Sequence, residues 1–133
     1  DFKYADFKVM ANCARVPVVD GHLESLVLEL GADPSLEEFE KTLADFRAEP
    51  QKFKLPSAPE QPIIVRHEEN RPQPVFDAMA GTPERARGMA TTVGRIRKSN
   101  GYYKVFALSH NTLRGGAGGS VLNAELAKAK GLL

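Results

Sequence analysis

Asn12-Cys13-Ala14-Arg15-Val16-Pro17-Val18-Val19-Asp20-Gly21-His22-Leu23-Glu24 decides how the rest of the chain is read. Asp20-Gly21 lies between a valine-rich run and a leucine-rich one. An Asp-Gly pair in that setting is the strongest short-range hairpin signal, because glycine accepts the positive φ of a two-residue turn. A hairpin centred there pairs a strand over residues 6–19 with one over 22–30. Val19 then faces His22, Pro17 faces Glu24 and Arg15 faces Leu26, so Arg15 and His22 project from the same side of the ribbon. At roughly 3.3 Å per residue, Arg15 stands about 13 Å from the turn, a gap that two long side chains can close. A guanidinium forks onto a carboxylate or phosphate, and an imidazole exchanges a proton near neutrality. Together they suit an anionic substrate held beside an acid/base group. The same residues also describe a surface arginine and a histidine beside a turn.

With 133 residues, the chain suits one domain, which buries about two-thirds of its unfolded surface. Eighteen basic residues against seventeen acidic ones leave a formal charge of +1. No overall field draws in nucleic acid or an anionic membrane. No run approaches the roughly twenty apolar residues of a membrane span. The start, Asp1-Phe2-Lys3-Tyr4, has neither an initiator Met nor a signal-peptide layout, so the chain reads as soluble, cytoplasmic by default, and open to being a piece of a longer protein. A single cysteine, Cys13, excludes an internal disulfide.

Beyond Gly31-Ala32-Asp33-Pro34, Ser35 and Glu38 form a capping box for a helix to about Ala48. Leu36, Phe39, Leu43 and Phe46 fall on one stripe of that helix, which is read as core. Pro50, Pro56, Pro59 and Pro62 mark 49–62 as a surface excursion without regular structure. Ile63-Ile64-Val65-Arg66 is a short strand, and a long loop covers 67–88. Met89 to Lys98 alternates as a strand, with Arg95 and Arg97 on the face of Val93. Ser99-Asn100-Gly101 turns into a final strand, Tyr103 to Ser109. The order predicts an α+β fold with a mixed, largely antiparallel sheet and helices packed on one face.

His110-Asn111-Thr112-Leu113-Arg114-Gly115-Gly116-Ala117-Gly118-Gly119-Ser120 then enters a helix from Val121 to Lys130, with Ser120 as N-cap and Gly131 as stop. Strand, glycine-rich loop and helix start form a generic seat for a phosphate or ribose. No Gly-x-Gly-x-x-Gly or Gly-Lys-Ser/Thr is present, so the loop is not a complete cofactor site. It either closes over a cofactor held elsewhere or lets backbones pack tightly. His22, His67, His110 and Cys13 lack metal-ligand spacing, and no Gly-x-Ser-x-Gly elbow appears. Strand alternation would put Cys13 beside Arg15, which lowers a thiol pKa. Cysteine also serves commonly as a small apolar residue.

Four stretches in order, Asn12 to Glu24, Asn70-Arg71-Pro72-Gln73-Pro74, Met89 to Arg97 and Ser109 to Lys130, resemble the C-terminal part of aspartate-semialdehyde dehydrogenases of the fungal and archaeal type. The resemblance covers nearly the whole chain. It implies a glyceraldehyde-3-phosphate-dehydrogenase-like C-terminal catalytic and dimerisation domain, with residues 1–109 part of that unit and 110–133 returning to a Rossmann coenzyme domain upstream. In that family a cysteine attacks the aldehyde, NADP accepts hydride, and phosphate releases aspartyl phosphate; biosynthesis runs the reverse way, toward lysine, methionine and threonine. Residue by residue, the substrate-carboxylate arginine falls on Arg15 and the acid/base histidine on His22. The nicotinamide-side loop falls on Asn111, Gly115, Gly116 and Ala117, with Gly116 where the family suggests alanine. Cys13 matches a non-nucleophilic position, so the nucleophile and coenzyme domain are expected outside these residues.

The resemblance thus predicts an NADP-dependent oxidoreductase acting on aspartate semialdehyde or aspartyl phosphate and phosphate, a homo-oligomer (dimer or tetramer), inactive as this piece alone. Alternatives are a non-catalytic oligomerising fragment, or a related reductase such as N-acetyl-glutamyl-phosphate reductase or malonyl-CoA reductase.

Overall fold

The computed structural model describes Lys3 and residues 5–133. Four strands, β1 (His22–Leu28), β2 (Ile63–Arg66), β3 (Thr91–Ser99) and β4 (Tyr102–Ser109), form one sheet in the order β1-β4-β3-β2. β1 and β3 flank β4 antiparallel, while β2 runs parallel to β3. Helices are α1 (Leu36–Asp45), α2 (Glu49–Lys52), α3 (Pro74–Asp77) and α4 (Gly118–Ala129). The mixed α+β architecture is the expected one.

The hairpin is not formed. Residues 5–21 contain no strand, and 5–19 are exposed. Val18 N–H donates to Val16 O at 2.9 Å, closing a tight turn around Pro17 with groups a ladder would need, and Pro17 has no N–H to give. β1 pairs instead with β4, His22 opposite Ser109, Glu24 opposite Ala107 and Leu26 opposite Val105. The cross-strand geometry expected to align Arg15 with His22 is therefore absent.

α1 begins as its sequence dictates. Ser35 Oγ accepts from Glu38 N at 3.1 Å and Glu38 Oε2 accepts from Ser35 N at 2.7 Å. Its apolar stripe is shallower than a core face, with no fully buried residue. Phe39 packs on Tyr103, ring centroids 4.8 Å apart, and Phe46 is half exposed. The helix lies against β2 and β3, over the fully buried Tyr103.

A second core forms where an excursion was expected. Leu55 and Ala58 are buried with Ala86, Met89 and Leu122. Ser57 fastens this segment to α4, its N–H and hydroxyl both donating to the Glu125 carboxylate at 3.0 and 2.9 Å. Small residues between prolines fill the gap under α4, which a search for helix or strand periodicity overlooks.

The strand alternation expected for Arg95 and Arg97 is broken by a register shift between Gly94 and Arg97, with Arg95 at φ +56°. Gly94 explains the loop above it. A Cβ there would meet Arg71 O at 2.6 Å, so the 67–73 backbone lies directly on the sheet. Asp77, 1% exposed, locks that loop. It accepts from Arg71 Nε at 2.7 Å, again from Arg71 Nη2, and from Gln73 N at 2.8 Å. Burial pushes the Asp77 carboxyl up. The Arg71 and Gln73 hydrogen bonds and the Arg71 and Arg66 charges outweigh it and hold the group below the ordinary carboxylate value.

Candidate active-site edge

Antiparallel pairing puts the start of β1 beside the end of β4, so residues 20–22 and 109–111 share one end of the sheet. Gly21 takes φ +111°, as the turn reading requires, but its N–H serves a different partner: it donates to Asn111 Oδ1 at 2.9 Å. A Cβ on Gly21 would meet Leu108 Cδ1 at 3.2 Å and Pro74 Cβ at 3.3 Å. The Asn70–Pro74 loop therefore also reaches this end, a role that proline punctuation alone did not reveal.

His110 is the residue that sequence reading passed over. It is 5% exposed, with Nε2 at 3.9 Å from Asp20 Oδ1. Thr112 N and Leu113 N both donate to its Nδ1 at 3.3 Å. A ring nitrogen receiving two N–H groups carries no proton, so Nε2 holds it and faces Asp20. The available signal was position: a histidine directly after a buried strand and before Asn111.

The glycine stretch divides in two. Leu113–Ala117 forms a helical turn, kinked at Gly116 (φ −139°, ψ −110°), that runs into α4. Ser120 thus lies inside the helix rather than capping it, and its Oγ donates to Gly116 O at 3.2 Å. A Cβ on Gly118 would strike Met89 Sδ at 2.5 Å and one on Gly119 would strike Arg114 O at 2.7 Å, so these two glycines exist for close packing. At Gly115 and Gly116 an added Cβ would make only ordinary contact, 3.7 Å from His110 O and Asn111 O, and Gly115 and Ala117 are exposed.

His22 stands exposed at the first position of β1, adjoining Gly21 and opposite Ser109. Arg15 and Cys13 are exposed in the irregular segment before it, in no helix or strand. The structure therefore joins His22, Asn111 and the glycine turn at one edge, while Arg15 is tied to that edge only through the chain. A concavity of about 890 Å³ along α1 is lined by Asp33, Glu38, Lys41 and Phe46 among others and shares no residue with this edge. No helix is long and apolar enough to cross a membrane among the described residues.

Residues 1–114 match the family model of the semialdehyde dehydrogenase dimerisation domain. The chain is 48% identical, over 93% of its length, to 35% of an aspartate-semialdehyde dehydrogenase of Methanothermobacter thermautotrophicus. It is 40% identical, over 92% of its length, to 34% of a malonyl CoA reductase (NADP) of Metallosphaera sedula. A crystal structure of aspartate semialdehyde dehydrogenase with NADP from Candida albicans superposes with a TM-score of 0.74 and 37% identity, covering 89% of this chain and 32% of that one. The chain thus spans about a third of the length of the curated relatives it matches. From the matched span and the shared fold, it belongs to the semialdehyde dehydrogenase dimerisation-domain family.

Proposed function

We propose that the protein carrying this chain is an NADP-dependent, phosphorylating aspartate-semialdehyde dehydrogenase serving lysine, methionine and threonine biosynthesis in the cytoplasm. The observation that carries this reading is the meeting of His22, Gly21 and Asn111 at one sheet edge through the 2.9 Å bond. Family similarity to an NADP-bound enzyme supports the coenzyme.

In this reading Arg15 forks onto the substrate carboxylate and His22 exchanges the proton at the reacting oxygen. Gly115, Gly116 and Ala117, open to a ligand, line the nicotinamide side with Asn111, whose Oδ1 is already engaged by Gly21 and whose Nδ2 donors remain. NADP, when bound, takes up or returns the hydride. In the oxidative direction a cysteine thiol adds to the aldehyde carbon, and the His22 imidazole takes the proton of the resulting hemithioacetal hydroxyl as that carbon gives up its hydride, leaving a thioester. Phosphate then releases the acyl group from that cysteine, which is supplied by the part of the relatives this chain does not span. Residues 1–109 act as the catalytic and dimerisation portion, and 110–133 return toward the coenzyme domain. The protein works as a homo-oligomer, and the 133-residue piece alone has no activity.

Malonyl-CoA reduction is the second reading, favoured by the 40% identical Metallosphaera relative. The purified full-length protein decides between them. Phosphate-dependent NADP reduction with aspartate semialdehyde is expected. NADPH oxidation with malonyl-CoA and none with the semialdehyde reactants would replace the first reading with the second. Turnover by the isolated chain would overturn the half-site account.

A further inference from the structure

We propose that His110 is a positioning residue for His22, an inference that rests on the acid/base role proposed for His22. His110 is nearly fully buried, whereas His22 stands exposed at the head of β1. Its Nδ1 is taken by the amides of Thr112 and Leu113, which sets the first turn of the glycine-rich loop. Its proton-bearing Nε2 faces the Asp20 carboxylate at 3.9 Å. Gly88 permits this placement: it has φ +74°, and the position of a Cβ there is 3.3 Å from His110 Cδ2.

The ring therefore grips both partners of the site edge at once. On one side it orders the loop that carries Asn111, and on the other its Nε2 stands 3.9 Å from the carboxylate of Asp20, the residue before Gly21. Gly21 in turn bonds Asn111, so Asp20, Gly21, Asn111 and His110 close a circuit of one 3.9 Å polar approach and one hydrogen bond around the entry to β1. A backbone at φ +111° has few restraints of its own, and His22 follows it directly. Loosening that circuit shifts the imidazole by a fraction of an ångström, enough to lower turnover while leaving binding intact.

The test uses the full-length enzyme. His110→Asn keeps an acceptor for the Thr112 and Leu113 amides and removes the donor toward Asp20, whereas His110→Gln keeps a donor that can reach Asp20. His110→Asn should lower kcat about tenfold with little change in the KM for coenzyme, and His110→Gln should recover most of that loss. Asp20→Asn should lower kcat similarly, and combining it with His110→Asn should add nothing further. Hydrogen exchange at the Gly21 amide should quicken in both single variants. Wild-type kcat in His110→Asn, or losses that multiply in the double variant, would overturn the proposal. If His110→Asn does not fold, Asp20→Asn decides alone, since that side chain is partly exposed: normal kcat refutes the coupling. Failure of the proposed function shows separately, as a wild-type enzyme inactive on the semialdehyde while Gly21 exchange still responds to His110→Asn.

Discussion

Asn111 Oδ1 accepts the Gly21 N–H at 2.9 Å, a bond between residues ninety apart in sequence that joins the head of β1 to the loop after β4. Replacing Asn111 with Ala removes the acceptor and leaves the buried Gly21 amide unpaired, costing on the order of 1–3 kcal/mol. Asn111→Asp keeps an acceptor and should retain most of that stability. Denaturant unfolding of the two variants, with amide exchange at Gly21, reads the difference.

Gly21 itself tolerates no side chain. Its φ of +111° and the contacts a Cβ would make with Leu108 and Pro74 predict that Gly21→Ala loses about 1–3 kcal/mol. A melting temperature equal to the parent's would contradict the described turn.

The glycine stretch should separate by function. Gly118→Ala drives a Cβ into Met89 Sδ and Leu113 O and should lower the melting temperature of the enzyme. Gly115→Ala meets nothing closer than 3.7 Å and should leave melting unchanged while raising the KM for NADP. The opposite pattern would remove the ligand role from Gly115.

Asp77 predicts an acid limit. Its folded carboxyl titrates below the ordinary value, so its contribution is fully present above about pH 4 and is lost as pH falls through the lower folded value. Asp77→Asn should destabilise the fold near neutrality by taking the carboxylate from Arg71, and its stability should fall less on acidification than the parent's. Urea midpoints from about pH 2 to about pH 7, a span around the ordinary carboxylate value, measure both.

Much of this was legible in the sequence where local chemistry acts alone. The Ser35–Glu38 capping box needs only its own two residues, and β2, β3 and β4 follow from β-branched runs between turn signals. The Asp20-Gly21 signal correctly marked a positive φ but misassigned its partner, because a glycine amide can be satisfied by a side chain from across the sheet as well as by a hairpin ladder. The packing of Leu55 and Ala58 under α4 depends on size complementarity between distant segments, which no periodicity encodes. His110 was hidden for the same reason: its role comes from Asp20, ninety positions away.

Arg15 and His22 should respond differently in the full-length enzyme. On the proposed reading, Arg15→Ala removes the carboxylate fork and should chiefly raise the KM for aspartate semialdehyde, tenfold or more for a charge-assisted pair on the order of 1.5–3 kcal/mol. A change confined to kcat would assign Arg15 elsewhere.

Steady-state kinetics of full-length His22→Ala test the central claim most directly. On the proposed reading, loss of the proton-exchanging group should lower kcat by roughly 10²–10⁴-fold, with melting and the KM for NADP close to the parent's because His22 is exposed and its strand pairing runs through its backbone. A parental kcat would contradict the assignment of this sheet edge as the acid/base half of the active site.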